Sequence, residues 1–135
     1  MAHEVVMVFD KDGQALYWSD GHSAAVEDSR SLWDVLWEHR EHLGGVAHTH
    51  PWPGPTGPSG TDLTTFAAIE AGLGKRLLWP IVTPTHVYMV SFDGEAKKYI
   101  AVLASDKGSV WDKYFPMKPE WVRNIKKLRQ KSLEE

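Results

Sequence analysis

Apolar positions run along this chain with two different periods. His3 to Phe9 reads His-Glu-Val-Val-Met-Val-Phe, a short β-branched and aromatic run that predicts a buried strand. Asp10-Lys11-Asp12-Gly13 follows as a turn, with Gly13 supplying a positive φ, and Gln14–Ser19 returns as a second strand. From residue 30 the period lengthens. Leu32, Val35, Leu36, His39 and Leu43 share a stripe at i, i+3, i+4, i+7 spacing, which predicts a helix over 30–43 capped by Asp28-Ser29. Trp33 and Trp37 form an i, i+4 pair beside the stripe, and Gly44-Gly45 reads as the left-handed stop.

Val46–His50 predicts a short strand, followed by a loop containing Pro51, Pro53, Pro55 and Pro58. Proline lowers the entropy lost when such a loop orders. A second helix begins near Asp62, with Leu63, Phe66, Ala67 and Leu73 as its apolar face and Gly74 as its C-cap. Lys75–Trp79 leads into another strand, and clearer strands are expected over 85–92 and 97–103, joined by an Asp93-Gly94 turn. Residues 120–132 form an amphipathic pattern with Trp121, Val122, Ile125 and Leu128 on one side. The order β-β-α-β-α-β-β-β-α predicts a mixed α/β chain with hairpins, not a regular parallel βαβ series. Residues 1–117 read as one domain, and 118–135 as a basic C-terminal helix packed on it or extending it. Trp18, Trp79 and Trp121 read as core, while Trp52 walls a site or pins the loop. Glu38, Glu41 and Glu70 read as solvated helix residues.

Composition narrows the function. A chain of 135 residues supports a single core. The net charge of −3 gives no general attraction to nucleic acid or anionic membrane. No apolar run approaches the ~20 residues that span a bilayer, and no signal-peptide pattern is visible, so a cytoplasmic protein is expected. There is no cysteine, so any metal must be held by His, Asp, Glu and water.

The chemistry concentrates at Gly44–Asp62. Side chains at i and i+2 of a strand share a face, so His48 and His50 can present two imidazoles to one point while Thr49 faces away. Asp62 can return a carboxylate to that point if the loop folds back. Two histidines and one carboxylate with an open fourth position form the ligand set of a catalytic zinc site. Ser59, one turn before Asp62, reads as an N-cap. His3, His22, His39, His42 and His86 carry no comparable pattern; His39 reads as a packed core histidine, and His86 as core or edge.

His48-Thr49-His50-Pro51, a Pro/Gly-rich loop and Ser59-Gly60-Thr61-Asp62 together resemble the signature of the JAMM (MPN-domain) zinc metalloproteases. The resemblance covers roughly residues 4–92, and the Phe9-Asp10-Lys11-Asp12-Gly13 hairpin is similar to that of the RadC-like branch. Eleven residues separate His50 from Asp62, one more than the family spacing. The resemblance implies a cytidine-deaminase-like fold, a mixed curved sheet flanked by helices. It implies Zn2+ on His48, His50 and Asp62, Ser59 as donor to the oxyanion, and a glutamate at the start of the first core strand as general acid–base. Glu4 matches that position, and Glu27 is the competitor. The implied activity is hydrolysis of a peptide or isopeptide bond at the C-terminal tail of a ubiquitin-like or sulfur-carrier protein, in the compact form of prokaryotic members. Two other readings differ in class: an inactive MPN-like interaction module, and a RadC-like protein associated with DNA, for which the charge offers little.

Overall fold

The structure is a computed structural model that describes residues 4–20, 30–50, 57–83 and 86–103, with residues 123, 125 and 134. The elements are β1 (Val5–Asp10), β2 (Ala15–Asp20), α1 (Arg30–Glu38), β3 (Leu43–Thr49), α2 (Gly60–Leu73), β4 (Ile81–Val82), β5 (Val87–Asp93) and β6 (Lys98–Leu103). The six strands form one open sheet in the order β2-β1-β3-β4-β5-β6. Only β3 and β4 pair in parallel, and α2 supplies the crossover that a parallel neighbour requires. The chain is therefore a mixed α/β domain with two hairpins, as its pattern predicts. No helix among the described residues is long and apolar enough to cross a membrane.

The sheet is covered on both faces. Val6, Val8 and Val46 meet Leu32 and Leu36 of α1 and Phe66 and Ile69 of α2 in one cluster. Met7, Phe9, Ala47, Val82, Val87 and Met89 form the other cluster with Ile125, which is in helical conformation and fully buried. Ile125 thus packs on the face of the sheet opposite α1 and α2. Trp121, Val122, Leu128 and the 117/118 boundary lie outside the described residues.

The first hairpin closes as its sequence predicts. Gly13 has φ 85°, and Asp10 Oδ1 accepts hydrogen bonds from Asp12 N and Gln14 N at 2.9 Å. The helix predicted over 30–43 is shorter, because α1 ends at Glu38 and Leu43 already belongs to β3. His39–His42 turn the chain toward the sheet, so His39 is half-buried in a turn and not a core residue. Lys75 Nζ donates to the carbonyls of Arg40 and Leu43, both beyond the end of α1.

Gly44 and Gly45 are consequently strand residues, and neither has a positive φ. Their task is close approach. A Cβ on Gly45 would lie 2.0 Å from the Leu78 carbonyl oxygen and 2.7 Å from Phe9 Cζ. The strand into which Lys75–Trp79 leads is β4, and a single parallel bridge, Leu78 to Gly45, precedes it. Pro80 cannot donate to a ladder, and regular pairing begins only at Ile81.

Substituting Gly45 should therefore strain the sheet. Gly45→Ala is expected to cost about 1–3 kcal/mol, the range for overpacking, read as a lower urea midpoint. Gly94→Ala, where a Cβ meets nothing within 4 Å, should leave the midpoint near wild type.

Candidate metal centre

The carboxyl end of β3, the start of β1 and the first turn of α2 meet at one point. Backbone pairing on both sides fixes β3 there. His48 N donates to Pro80 O at 3.0 Å and His50 N to Val82 O at 2.9 Å, while His48 stands opposite Val6 of β1. His48 and His50 present their Nε2 atoms to each other across 3.1 Å. Both side chains are buried on the α2 side of the sheet, where His48 lies edge-on to the Phe66 ring.

Asp62 arrives from α2. Ser59 is the N-cap, and its Oγ accepts from Asp62 N at 3.0 Å while Asp62 Oδ2 accepts from Ser59 N at 3.0 Å. This reciprocal capping box satisfies two of the donors that a helix start leaves open. The same Oδ2 lies 3.2 Å from His50 Nε2 and 3.5 Å from His48 Nε2. One oxygen thus serves the helix cap and faces both imidazoles.

The three ligand atoms fit a metal ion. Zinc bonds of about 2.0–2.1 Å in tetrahedral geometry place ligand atoms about 3.3 Å apart, and the observed edges are 3.1, 3.2 and 3.5 Å. Asp62 Oδ1, His48 Nδ1 and both oxygens of Glu4 are buried with no hydrogen-bond partner. So many unpartnered polar atoms in a buried pocket are costly unless a charge balances them. Protonation states suit metal binding as well. Burial pushes the His48 imidazolium pKa down, with the Asp62 carboxylate opposing, which favours the neutral ring a ligand must be. Burial alone would raise Asp62, but hydrogen bonds from His48 and His50, reinforced by the Ser59 amide, hold it far below the usual carboxylate range.

Glu4 is the fourth group. It immediately precedes β1, is buried, and its Oε1 lies 4.0 Å from His50 Nε2. Burial raises its carboxyl to about 7; the charge of His50 opposes the rise, and that of Asp62 adds to it. The residues proposed from sequence, Glu4, His48, His50, Ser59 and Asp62, are therefore gathered at one place. Glu27 and Trp52 lie outside the described residues.

One buried charge runs against the sequence reading. Glu70 is not solvated; it is 3% exposed and accepts from Leu77 N, Trp79 Nε1, Arg76 and the Tyr99 hydroxyl. Trp79 in turn stacks on Phe66 with ring centroids 4.2 Å apart, and Phe66 abuts His48. Glu70 thus anchors the aromatic wall behind a ligand. The signal was its spacing, because Asp62, Phe66 and Glu70 are four residues apart and share one helix face. Ala67, read as part of that face, is exposed. Neither a protein-family model nor a curated protein sequence matches the chain.

The raised Glu4 carboxyl gives a signed prediction for the metal-free protein. Its folded pKa of about 7 exceeds the ordinary 4.5, so the folded state binds the extra proton between those values. Stability from this group is present at acid pH and lost as pH rises through 4.5 to 7. Glu4→Gln should therefore raise the urea midpoint of the metal-free protein at pH 8 and leave it little changed near pH 4.

Proposed function

We propose that this centre is the active site of a zinc-dependent hydrolase of the JAMM/MPN kind. Its substrate is a peptide or isopeptide bond beside the C-terminal tail of a ubiquitin-like or sulfur-carrier protein. The observation that carries the reading is Glu4. A carboxylate with no hydrogen-bond partner is buried beside a three-ligand cluster, too far from His50 to share its hydrogen bonds and close enough to serve a water or a leaving group between them. Structural carboxylates are satisfied by neighbours, as Glu70 is; Glu4 is held in reserve. The order hairpin, helix, His-x-His strand, Asp-bearing helix and hairpin further supports the likeness to that fold.

The donor set of two imidazoles and one carboxylate, with no thiolate, suits zinc with an open position. When bound at His48, His50 and Asp62, zinc supplies a Lewis acid that acidifies water and polarises a carbonyl. The chain's own residues do the rest. Glu4 accepts the proton of the attacking water and returns it to the departing nitrogen as the C–N bond breaks. A carboxylate placed there can serve both halves of that exchange, first as base and then as acid. Ser59 Oγ is committed as an acceptor to Asp62 N, which leaves its own proton to donate to the substrate's carbonyl oxygen as negative charge develops. Ser59 is exposed and so within reach of a substrate. An extended tail suits such a site, since it can be held along a sheet by main-chain hydrogen bonds.

Protein purified without chelators should carry one zinc per chain and cleave at least one member of a panel of ubiquitin-like fusions, with chelator abolishing cleavage. Glu4→Gln should keep its zinc and lose at least ~10²-fold in rate, the usual worth of a general acid–base. Full activity in that variant removes Glu4 from the mechanism. Absence of both zinc and cleavage in the wild type favours a metal-free interaction module.

A further inference from the structure

We propose that Thr49 is a positioning residue whose hydroxyl fastens the start of β1 and so sets Glu4 opposite His50. Thr49 lies between the two histidines, and its side chain points away from them. It is fully buried, and its Oγ1 accepts a hydrogen bond from Val5 N at 2.8 Å. That bond joins chain segments 44 residues apart at the residue adjoining Glu4.

The sheet register explains why a side chain is used there. The β1–β3 ladder pairs Met7 with Ala47 and Val6 with His48, and ends at that pair. Continued by two residues, it would set Val5 against Thr49 and Glu4 against His50. At Val5 the amide instead takes the Thr49 hydroxyl. The strand end is held, yet the side chain between the two backbones keeps β1 from closing fully onto β3. The result is the separation of 4.0 Å between Glu4 Oε1 and His50 Nε2, with Glu4 outside the three-residue group that could hold a metal. Valine would fill the same buried space and suits a strand equally well. The hydroxyl is the part of Thr49 with a specific task, since burying it without a partner would be unfavourable.

Thr49 touches neither the cluster nor a substrate and acts through Glu4, so its effect on turnover rests on the hydrolase reading. Two measurements do not. In zinc-loaded protein with ¹³C-labelled glutamate carboxyls, Thr49→Val should speed Val5 amide exchange at least ~10-fold and move the Glu4 carboxyl resonance, while zinc stoichiometry is kept. Turnover should fall about 10- to 100-fold, as expected for a catalytic group displaced by a fraction of an ångström to an ångström. Thr49→Ser should restore all three. In the Glu4→Gln background, Thr49→Val should cost nothing further. If Thr49→Val does not fold, Thr49→Ala gives the same reading. An unmoved Glu4 resonance despite an opened Val5 amide overturns the proposal, as does a Thr49→Ser variant that behaves like Thr49→Val. If no fusion is cleaved by wild type, the hydrolase reading fails, while the resonance and exchange results still decide the role of Thr49.

Discussion

The centre depends on a single carboxylate oxygen. Asp62 Oδ2 closes the capping box of α2 through the Ser59 amide and faces His48 and His50 at the same time. A ligand on a freely turning side chain loses rotamer freedom when it binds. Here the helix cap has already fixed the rotamer, so the ligand is preorganised by the interaction that starts the helix. That oxygen receives the Ser59 amide on one side and the His48 and His50 rings on the other, and its sister oxygen, Oδ1, has no partner.

The rest of the fold delivers the remaining groups to that oxygen. β3 sits inside the sheet, paired to β1 on one side and β4 on the other, so neither histidine backbone can shift alone. The close approach of Gly45 to Leu78 brings the segment before β4 against β3. Behind the ligands, Phe66, Trp79 and Glu70 form a wall whose polar atoms are satisfied. In front, Glu4 and Asp62 Oδ1 are not. This contrast between a satisfied rear and an unsatisfied front sets the front of the site apart, because buried polar groups are otherwise almost always paired.

Much of this was legible in the chain. The strand-period histidines, the Ser-x-x-Asp start of α2, the Gly74 cap and the two Asp-Gly hairpins each rest on local chemistry, and each appears in the structure. What was misread depends on distant partners. Gly44-Gly45 is equally good as a helix stop and as a place where two strands touch, and only Leu78 and Asp10 distinguish the two. The helical stripe runs on to Leu43 because a residue entering a buried strand is apolar for the same reason as one on a helix face. Glu70 looked solvated because its four donors lie on later segments, up to Tyr99. Thr49 carried no signal beyond its place between the ligands, since its partner is the Val5 backbone 44 residues earlier.

The central claim is that His48, His50 and Asp62 hold a metal with one position left open. X-ray absorption at the zinc edge, on protein purified without chelators, tests it most directly. The expected spectrum shows four nitrogen or oxygen neighbours at about 2.0–2.1 Å, two of them imidazole, with no sulfur. A chain without bound metal, or a six-coordinate shell of oxygen atoms alone, would contradict it.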